Sequence, residues 1–184
     1  MTRGDAIGLL NQYIKNERML NHCYAAEAVM RALARRLGKD EEKWGIAGLL
    51  HDLDLEITNA DLSIHTRETE KILKANSVDP EIIDAIKMHN EEAWGMKRDT
   101  VFHHALAAGE TVTGMIVAAA LVYPDKKLAS VKAKSVTKRM KEKAFAASVN
   151  RDTIMESERL GLPLDEFVEI CLQAMKEISD QLGL

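Results

Sequence analysis

The sequence predicts an all-α, single-domain protein, and three observations indicate this fold class. The chain has 184 residues, of which 46% are hydrophobic and 29% are charged, as is usual for one folded domain. Only 4% of the residues are aromatic, whereas Ala, Leu, Met, Glu and Lys are frequent, and this composition favours helices over a β-sandwich. No segment of useful length alternates polar and apolar residues, and no internal repeat occurs. We therefore expect helices packed on helices.

The first part of the chain divides into three predicted helices. One helix is predicted from Asp5 to about Leu20, and a second continues to Leu37, where Gly38 supplies a C-terminal stop. Asp40 caps the third helix, which contains an almost wholly apolar run over residues 44–53. That run predicts a position at the centre of the bundle.

Four further helices are predicted by periodicity and capping residues. One covers residues 61–75, and another covers residues 81–90 after the N-cap Asp79 and a proline at the first helical position. A long apolar helix is predicted over residues 100–123, and the last one covers residues 164–182.

Charge, cysteine content and hydropathy exclude several classes of protein. The formal net charge of -4 gives no global attraction to nucleic acid or to anionic lipid. Cys23 and Cys171 are too few for a disulfide framework, which indicates a reducing compartment. The apolar stretch over residues 105–123 carries Glu110 in its middle, so we interpret it as a buried helix. We expect a soluble cytoplasmic protein that binds neither nucleic acid nor membrane, and the sequence leaves its oligomeric state open.

Ionisable residues on the apolar faces of helices carry the functional signal, because a polar group that faces a core needs a partner there. Six residues on five predicted helices show this pattern: His22, His51, Asp52, His65, His89 and Glu110. The pair His51 and Asp52 is the most unusual, since it interrupts a run of leucines. Taken singly, each of the six is more typical of a satisfied core histidine or a buried acid.

Taken together, these residues predict a metal site. Separate burial of four imidazoles and two carboxylates is costly, whereas a divalent ion neutralises the acids and accepts imidazole nitrogen. The donors include no thiolate, which suits iron, manganese, cobalt, nickel, zinc or, in part, magnesium. We predict an open, catalytic site for one or two divalent ions, in which the Asp52 carboxylate is able to bridge two of them.

The sequence resembles the HD superfamily of metal-dependent phosphohydrolases through His22, the run Leu49-Leu50-His51-Asp52, and a distal acid. The similarity covers His22 to Val117. It implies a single HD-type helical bundle over residues 1–184, with a core at about 20–123 and a helical extension at about 125–184. The segment over residues 118–184 is similar to small, poorly characterised predicted HD hydrolases, a subfamily that implies no substrate.

The resemblance also implies how the metal ligands are shared. His22, His51, Asp52 and the distal acid would hold one ion, and Asp52 would bridge to a second ion held by His65 and His89, as in members with two metals. The distal acid is Glu110, where the superfamily usually has Asp, and its extra methylene changes the distance to the metal. The lysine that often follows the His-Asp pair is absent, because Asp54 and Leu55 stand in the positions where several members have Gly and Lys.

The function implied by this resemblance is hydrolysis of phosphate esters. The expected enzyme is a phosphomonoesterase or phosphodiesterase that acts on a small phosphorylated metabolite or nucleotide through a metal-activated water. The catalytic candidates are Asp52 and Asp54, and Asp54 is interpreted either as a general base or as a hydrogen-bond partner of a histidine ligand. Two alternatives stay open: a di-iron oxygenase on the same scaffold, and a non-catalytic ligand-binding or regulatory module.

Candidate substrate-binding residues lie outside the ligand set. His103 shares a helix face with Glu110, so it is predicted to reach the site or the substrate. The run Lys126–Lys143 contains eight basic residues and one acidic residue. Three basic residues of this run are candidates for binding substrate phosphate: Lys134, Lys138 and Arg139. The alternative for them, a solvated helix face, is the more ordinary interpretation.

Overall fold

The computed structural model describes residues 1–184 and contains ten α-helices and no β-strand. The helices are α1 (Arg3–Tyr13), α2 (Glu17–Leu37), α3 (Glu41–Leu50), α4 (Arg67–Ala75), α5 (Pro80–His89), α6 (Val101–Leu121), α7 (Ala133–Arg139), α8 (Arg151–Met155), α9 (Leu164–Glu177) and α10 (Ser179–Leu182). Three short 3-10 segments join them, at Glu91–Trp94, Leu128–Ser130 and Glu156–Leu160. The predicted all-α class is confirmed.

Helices α2, α3 and α6 form the centre of the bundle. A Cβ atom on Gly48 of α3 would lie 2.6 Å from the carbonyl oxygen of Ala26, so α2 and α3 approach each other backbone to backbone. A Cβ atom on Gly109 of α6 would lie 3.2 Å from side-chain atoms of Val29 and Leu33, both on α2. These close approaches place the functional residues of all three helices near one another.

The long helix α6 lies in the core of the bundle, as predicted. By length and composition alone it is apolar enough to cross a membrane, yet 61% of its most apolar 18-residue stretch is buried inside the protein. It packs against α2, α5, α8 and α9. The apolar character of α6 is therefore explained by its neighbours in the bundle.

The predicted first helix is wrong in its extent. Residues 5–20 do not form one helix, because α1 ends at Tyr13 and α2 begins at Glu17. The Asn16 side chain caps α2 by accepting hydrogen bonds from its first N–H groups. The Glu56 carboxylate accepts hydrogen bonds from the backbone N–H groups of Asn16 and the residue before it. This tertiary contact and the cap fix a break that hydrophobic spacing alone does not reveal.

The segment between α3 and α4 also differs from the prediction. Residues 51–66 form consecutive turns, and α4 begins at Arg67 instead of residue 61. Three non-glycine residues of this segment have positive φ, which an α-helix does not allow: Asn59 at 51°, Ala60 at 58° and Thr66 at 80°. His65 therefore lies on an irregular segment, and not on a helix face as the sequence pattern indicated.

The C-terminal helices share the core of the first part. Buried apolar residues form one continuous cluster from Ala6 to Leu182. Helix α9 packs against α2, α6 and α7. The predicted last helix over 164–182 is interrupted at Ile178, where α9 ends and the short α10 follows.

Candidate metal centre

Four histidine rings converge on the carboxylate of Asp52. They come from different elements: α2 carries His22, His51 is the C-cap residue that follows α3, and α5 ends at His89. The irregular segment after α3 supplies Asp52 and His65. His51, Asp52 and His65 are buried, whereas the side chains of His22 and His89 are 24% and 7% exposed.

One carboxylate oxygen of Asp52 faces two of the rings. The Nε2 atoms of His22 and His51 are 3.0 Å apart. They lie 3.5 Å and 3.4 Å, respectively, from Asp52 Oδ2. These three residues form a compact group that could hold a metal ion, and we call it the His22/His51 half.

The other oxygen of Asp52 faces the remaining two rings. The Nε2 atoms of His65 and His89 are 3.1 Å apart. They lie 3.1 Å and 3.6 Å, respectively, from Asp52 Oδ1. This second compact group could also hold an ion, and we call it the His65/His89 half. Asp52 thus belongs to both groups, one oxygen to each.

Backbone carbonyls fix the orientation of two rings. His51 Nδ1 lies 2.8 Å from the carbonyl oxygen of Gly48, and His89 Nδ1 lies 2.6 Å from the carbonyl oxygen of Ile86. A carbonyl oxygen only accepts hydrogen bonds, so each Nδ1 carries the proton and donates it. In the neutral rings, the lone pairs on both Nε2 atoms therefore point into the cluster.

Side chains fix the other two rings in the same sense. The Thr113 hydroxyl donates to the Glu110 carbonyl oxygen at 2.6 Å, so it accepts from His22 Nδ1 at 3.1 Å. His65 Nδ1 donates to Asp54 Oδ1 at 2.7 Å. Each ring thus uses its outer nitrogen for a supporting hydrogen bond and directs its inner nitrogen to the cluster, as metal-ligating histidines do.

The donor set fits divalent metal ions. Imidazole lone pairs that face one another and a carboxylate repel unless a cation or protons lie between them. With metal–nitrogen bonds of about 2.0–2.1 Å, two donors on one ion lie about 3 Å apart at a right angle. The Nε2 separations of 3.0 Å and 3.1 Å match this spacing in both halves. The absence of thiolate from this set disfavours a closed cysteine zinc site.

Electrostatics divide the four rings into two kinds. Burial, with repulsion from neighbouring histidines, lowers the pKa of His22 and the pKa of His89 to about 4 each. Burial also opposes the charged form of His65, but hydrogen bonds to Asp52 and Asp54 raise its pKa to about 9. Each half therefore contains one ring that stays neutral near pH 7, and His65 holds a proton in the absence of metal.

The pKa values of the two acids of the cluster, Asp52 and Glu110, are shifted in opposite directions. Burial alone would raise the pKa of Asp52, but the charge of His51 and hydrogen bonds from the surrounding rings hold it well below its usual range. Burial raises the pKa of Glu110 to about 7, although the charge of His51 opposes this shift. Asp52 is thus a permanent anion between the two halves.

Glu110 lies at the open edge of the cluster. Its Oε2 atom is 3.7 Å from His22 Nε2, while its Oε1 atom accepts a hydrogen bond from Thr111 at 2.5 Å. It is not part of either compact group. The longer side chain of glutamate therefore reaches the His22/His51 half only from the outside.

The structure corrects the assignment of Asp54 as a general base. Asp54 is fully buried behind His65. Its Oδ1 accepts from His65, and its Oδ2 accepts from the backbone N–H groups of Glu68 and Thr69 at 3.1 Å each. Both oxygens are thus engaged by donors of the protein, on the side of His65 that faces away from the cluster. The alternative interpretation, support of a histidine ligand, matches this geometry.

The structure does not bring His103 to the cluster. Its Nε2 atom lies 2.8 Å from Asp84 Oδ2, and its Nδ1 atom lies 3.2 Å from Asp99 Oδ1. Both nitrogens are therefore engaged at the start of α6, about two turns before Glu110. The predicted substrate-binding role of His103 is corrected to a structural one.

The three basic candidates also lie away from the cluster. Lys134 borders a surface groove between α7 and α9, Lys138 is exposed, and Arg139 stacks on Phe145, with its Cζ atom 4.3 Å from the ring centroid. None of them lines a cavity that contains His22. The solvated helix face is the interpretation that fits α7.

An open cavity of about 290 Å³ reaches the cluster at His22 and Glu110. Its opposite wall is formed by Ser148, Val149 and Asn150, from the loop before α8. Sequence reasoning missed these three residues, because a short polar loop carries no periodic signal that links it to a distant helix. The segment after residue 123 thus contributes to the site itself.

Comparison with family models matches this chain to the HD domain over residues 19–123. The match covers more than half of the chain and includes all six ligand candidates. The chain therefore belongs to the HD domain family, whose members bind divalent metals and are mostly metal-dependent hydrolases. Comparisons with curated proteins and with solved structures give no match.

Proposed function

We propose that this protein is a metal-dependent phosphohydrolase, a phosphomonoesterase or phosphodiesterase that acts on a small phosphorylated metabolite or nucleotide. One observation carries the proposal: Asp52 stands between two pairs of histidines, beside an open cavity. Two ions that share a carboxylate form a recurring arrangement in enzymes that cleave phosphate esters. Membership of the HD domain family supports the same class of reaction.

Both halves of the cluster contribute ligands in this proposal. His22, His51 and Asp52 would hold one ion, and Asp52, His65 and His89 would hold the second. Glu110 would contact the first ion from the open edge. Nitrogen and carboxylate donors make manganese, iron, cobalt, nickel, zinc and magnesium the candidates. A divalent ion held there supplies Lewis acidity, which activates water and offsets charge on a phosphoryl group.

The chain's own residues orient and protect this chemistry. His51, His65 and Asp52 are buried, so solvent and substrate reach the cluster from the side of His22 and Glu110. The supporting hydrogen bonds to all four rings hold the Nε2 atoms in place before any ligand arrives. Such preorganisation lowers the cost of reaching the transition state. The fixed negative charge of Asp52 retains cations in both halves.

The proposal is tested by phosphate release from purified protein reconstituted with each candidate metal. We expect hydrolysis of p-nitrophenyl phosphate or its diester, with a kcat/KM at least a hundredfold lower in Asp52→Ala. The surface variant Asp180→Ala is the control for loss of a carboxylate. If the wild-type protein binds metal but hydrolyses no phosphate monoester or diester, the proposal is wrong.

One property of the cluster also fits oxygen activation by two iron ions. Imidazole and carboxylate donors around a shared Asp52 are suitable for iron. Metal identity separates the two functions: hydrolysis proceeds with redox-inert zinc or magnesium, whereas an oxygenase consumes oxygen only when loaded with iron. If neither reaction occurs and a small ligand still binds tightly, the protein is a non-catalytic binding module.

We further propose that the protein acts in the cytoplasm on a free small molecule, and not on nucleic acid or a membrane. Cys23 and Cys171 are both buried free thiols, as expected for a reducing compartment. The formal net charge of -4 does not favour polyanionic partners. A purified protein that binds anionic vesicles or RNA at physiological salt would contradict this assignment.

A further inference from the structure

A second cavity adjoins the proposed metal centre. It has a volume of about 560 Å³ and shares His22 and Gly114 with the cavity at the cluster. This volume is in the range of small-molecule sites in proteins. The two cavities therefore meet at the exposed edge of the His22/His51 half.

The second cavity follows the surface between α2 and α6. These helices run antiparallel, because His22 contacts Thr113 whereas the more C-terminal Val29 lies beside Gly109. The cavity extends toward Arg18 on one helix and toward Leu121 on the other. Residues 110–121 of a helix span about 16 Å. Together the two cavities form a groove that begins at the cluster and follows α2 and α6 away from it.

The wall of this groove is mostly apolar. The apolar side chains come from three helices and from the residues after the last of them: Ala25, Val117, Ala118, Leu121, Leu182 and Leu184. Leu121 is 50% exposed at the far end, and its neighbour Val122 is 54% exposed. Leu121 lines the second cavity and therefore continues the apolar wall to the far end of the groove.

The polar groups in the groove do not suit a nucleoside. The second cavity has no Phe, Tyr or Trp side chain for a base to stack on, and Arg18 is its only side chain that is charged at neutral pH. Asn21 already donates a hydrogen bond to the Leu182 carbonyl oxygen at 3.4 Å. A base or ribose placed here would lose its hydrogen bonds to water without replacement.

We propose that the substrate of the metal centre is a phosphate ester of a linear apolar alcohol. Its phosphoryl group would lie in the cavity at His22 and Glu110, and its hydrocarbon chain would lie in the groove between α2 and α6. This inference rests on the proposed phosphohydrolase function and narrows its substrate class. Continuity of the groove with the cluster is the observation that favours a substrate chain over other apolar occupants.

The test uses binding and turnover separately, on metal-loaded full-length protein. Binding is measured by calorimetry with a series of alkylphosphonates from methyl to decyl, which are not hydrolysed. We expect the Kd to fall about threefold to fourfold for each added methylene until the groove is filled. Turnover is measured on methyl phosphate, decyl phosphate and adenosine monophosphate, and we expect decyl phosphate to have the highest kcat/KM.

A variant pair locates the chain in the groove. Ala118→Phe fills the groove, so it should weaken the binding of decylphosphonate at least tenfold relative to methylphosphonate. Ala75→Phe makes the same change at an exposed position at the end of α4 and should leave that ratio as in the wild type. An unchanged ratio of the two Kd values in Ala118→Phe would show that the hydrocarbon chain does not bind in the groove.

The outcomes separate this inference from the proposed function. If phosphate esters are hydrolysed but neither Kd nor kcat/KM depends on chain length, or if adenosine monophosphate is the best substrate, the inference is wrong and the phosphohydrolase stands. If alkylphosphonates bind with the expected length dependence but no ester is hydrolysed, the ligand class stands and the phosphohydrolase is wrong. If sedimentation shows a dimer that buries the groove and excludes decylphosphonate, the occupant is a second copy of the chain and the inference is wrong.

Discussion

The two halves of the metal centre share Asp52 but are built in different ways. The His22/His51 half is carried by α2 and the end of α3, which pack backbone to backbone through Gly48. The His65/His89 half depends on the irregular segment over residues 51–66, whose geometry is fixed by hydrogen bonds between side chains and backbone. One half therefore takes its geometry from core packing, and the other takes it from a polar network.

The halves also differ in their access to solvent. His22 is 24% exposed and opens to both cavities, whereas His65 is 3% exposed and His89 is 7% exposed. In the proposed function, the first half would therefore meet the substrate and the second half would support it from inside. Substitutions in the polar network should therefore change one half and spare the other.

The largest expected effect comes from Asp52, because it serves both halves. Asp52→Ala should weaken the binding of both ions, and we expect a loss of at least a thousandfold for each, since both halves lose the carboxylate that they share. Calorimetric titration of metal-free protein measures both sites. Retention of one ion at wild-type affinity would show that the carboxylate is not shared.

Asp54→Asn should affect the His65/His89 half alone. The amide lacks the charge that orients His65, and its NH₂ group would face the backbone N–H groups of Glu68 and Thr69. Loss of such a supporting group typically costs 10-fold to 100-fold in metal affinity, so we expect about that reduction for the second ion. Asp61→Asn, an exposed change in the same segment, is the matched control. Equal weakening of both ions in Asp54→Asn would contradict the division into halves.

The pH dependence of metal binding should report the proton that His65 holds in the metal-free protein. His65 has a pKa raised to about 9, so an ion must displace a proton from it at neutral pH. The affinity of the His65/His89 half should rise about tenfold per pH unit between about 6.5 and 9. Calorimetry in buffers with different ionisation enthalpies counts the released protons, and no release above pH 7 would contradict this assignment.

The proton on His65 competes with metal binding, but it stabilises the metal-free protein. Because the folded-state pKa of His65 is raised, its stabilising contribution is fully present below about pH 6.5 and is lost as the pH rises through about 9. Between these values, the melting temperature of metal-free protein should fall through this group, whereas that of metal-loaded protein should rise with affinity. Parallel changes in both forms would mean that His65 is not a ligand.

The smallest expected effect comes from Trp94. Its Nε1–H group donates to the Thr66 hydroxyl at 2.8 Å, and Thr66 holds a φ of 80° beside His65. Trp94→Phe removes this bond, worth about 1 kcal/mol, and should weaken the second ion about fivefold. Trp44→Phe, at a buried tryptophan that stacks on Phe102, is the control. If Trp44→Phe weakened the second ion as much as Trp94→Phe, the hydrogen bond of Trp94 would not be what supports the His65/His89 half.

The sequence predicted that the four histidines and Asp52 come together, because each histidine interrupts an apolar pattern. His22 and His89 do lie on helices, and the pair His51 and Asp52 does end the central apolar run. His65 was assigned to a helix face, but the positive φ of Thr66 ends that continuity. Positive φ at a β-branched residue is disfavoured by local sterics, so only the tertiary hydrogen bonds reveal it.

The roles around the ligands were less predictable than the ligands themselves. Asp54 has the same spacing from His51 whether it faces a reacting water or the back of His65, and backbone turns decide between the two. Lys134 and Lys138 are exposed on the surface of α7, where basic residues are ordinary in soluble helices. The wall at Ser148 comes from a loop whose position depends on how α8 packs against α6. These features arise from long-range packing, which residue spacing does not encode.

Whether the cluster holds two ions that share Asp52 is tested most directly by elemental analysis, which gives the number of metal ions bound per chain in gently purified protein. We expect two ions in the wild type after reconstitution. We expect the loss of one ion in each of His51→Ala and His89→Ala, because each variant disrupts one half. Circular dichroism confirms that the variants remain folded. A wild type that stays metal-free after reconstitution with manganese, iron, cobalt, nickel, zinc and magnesium would contradict the account.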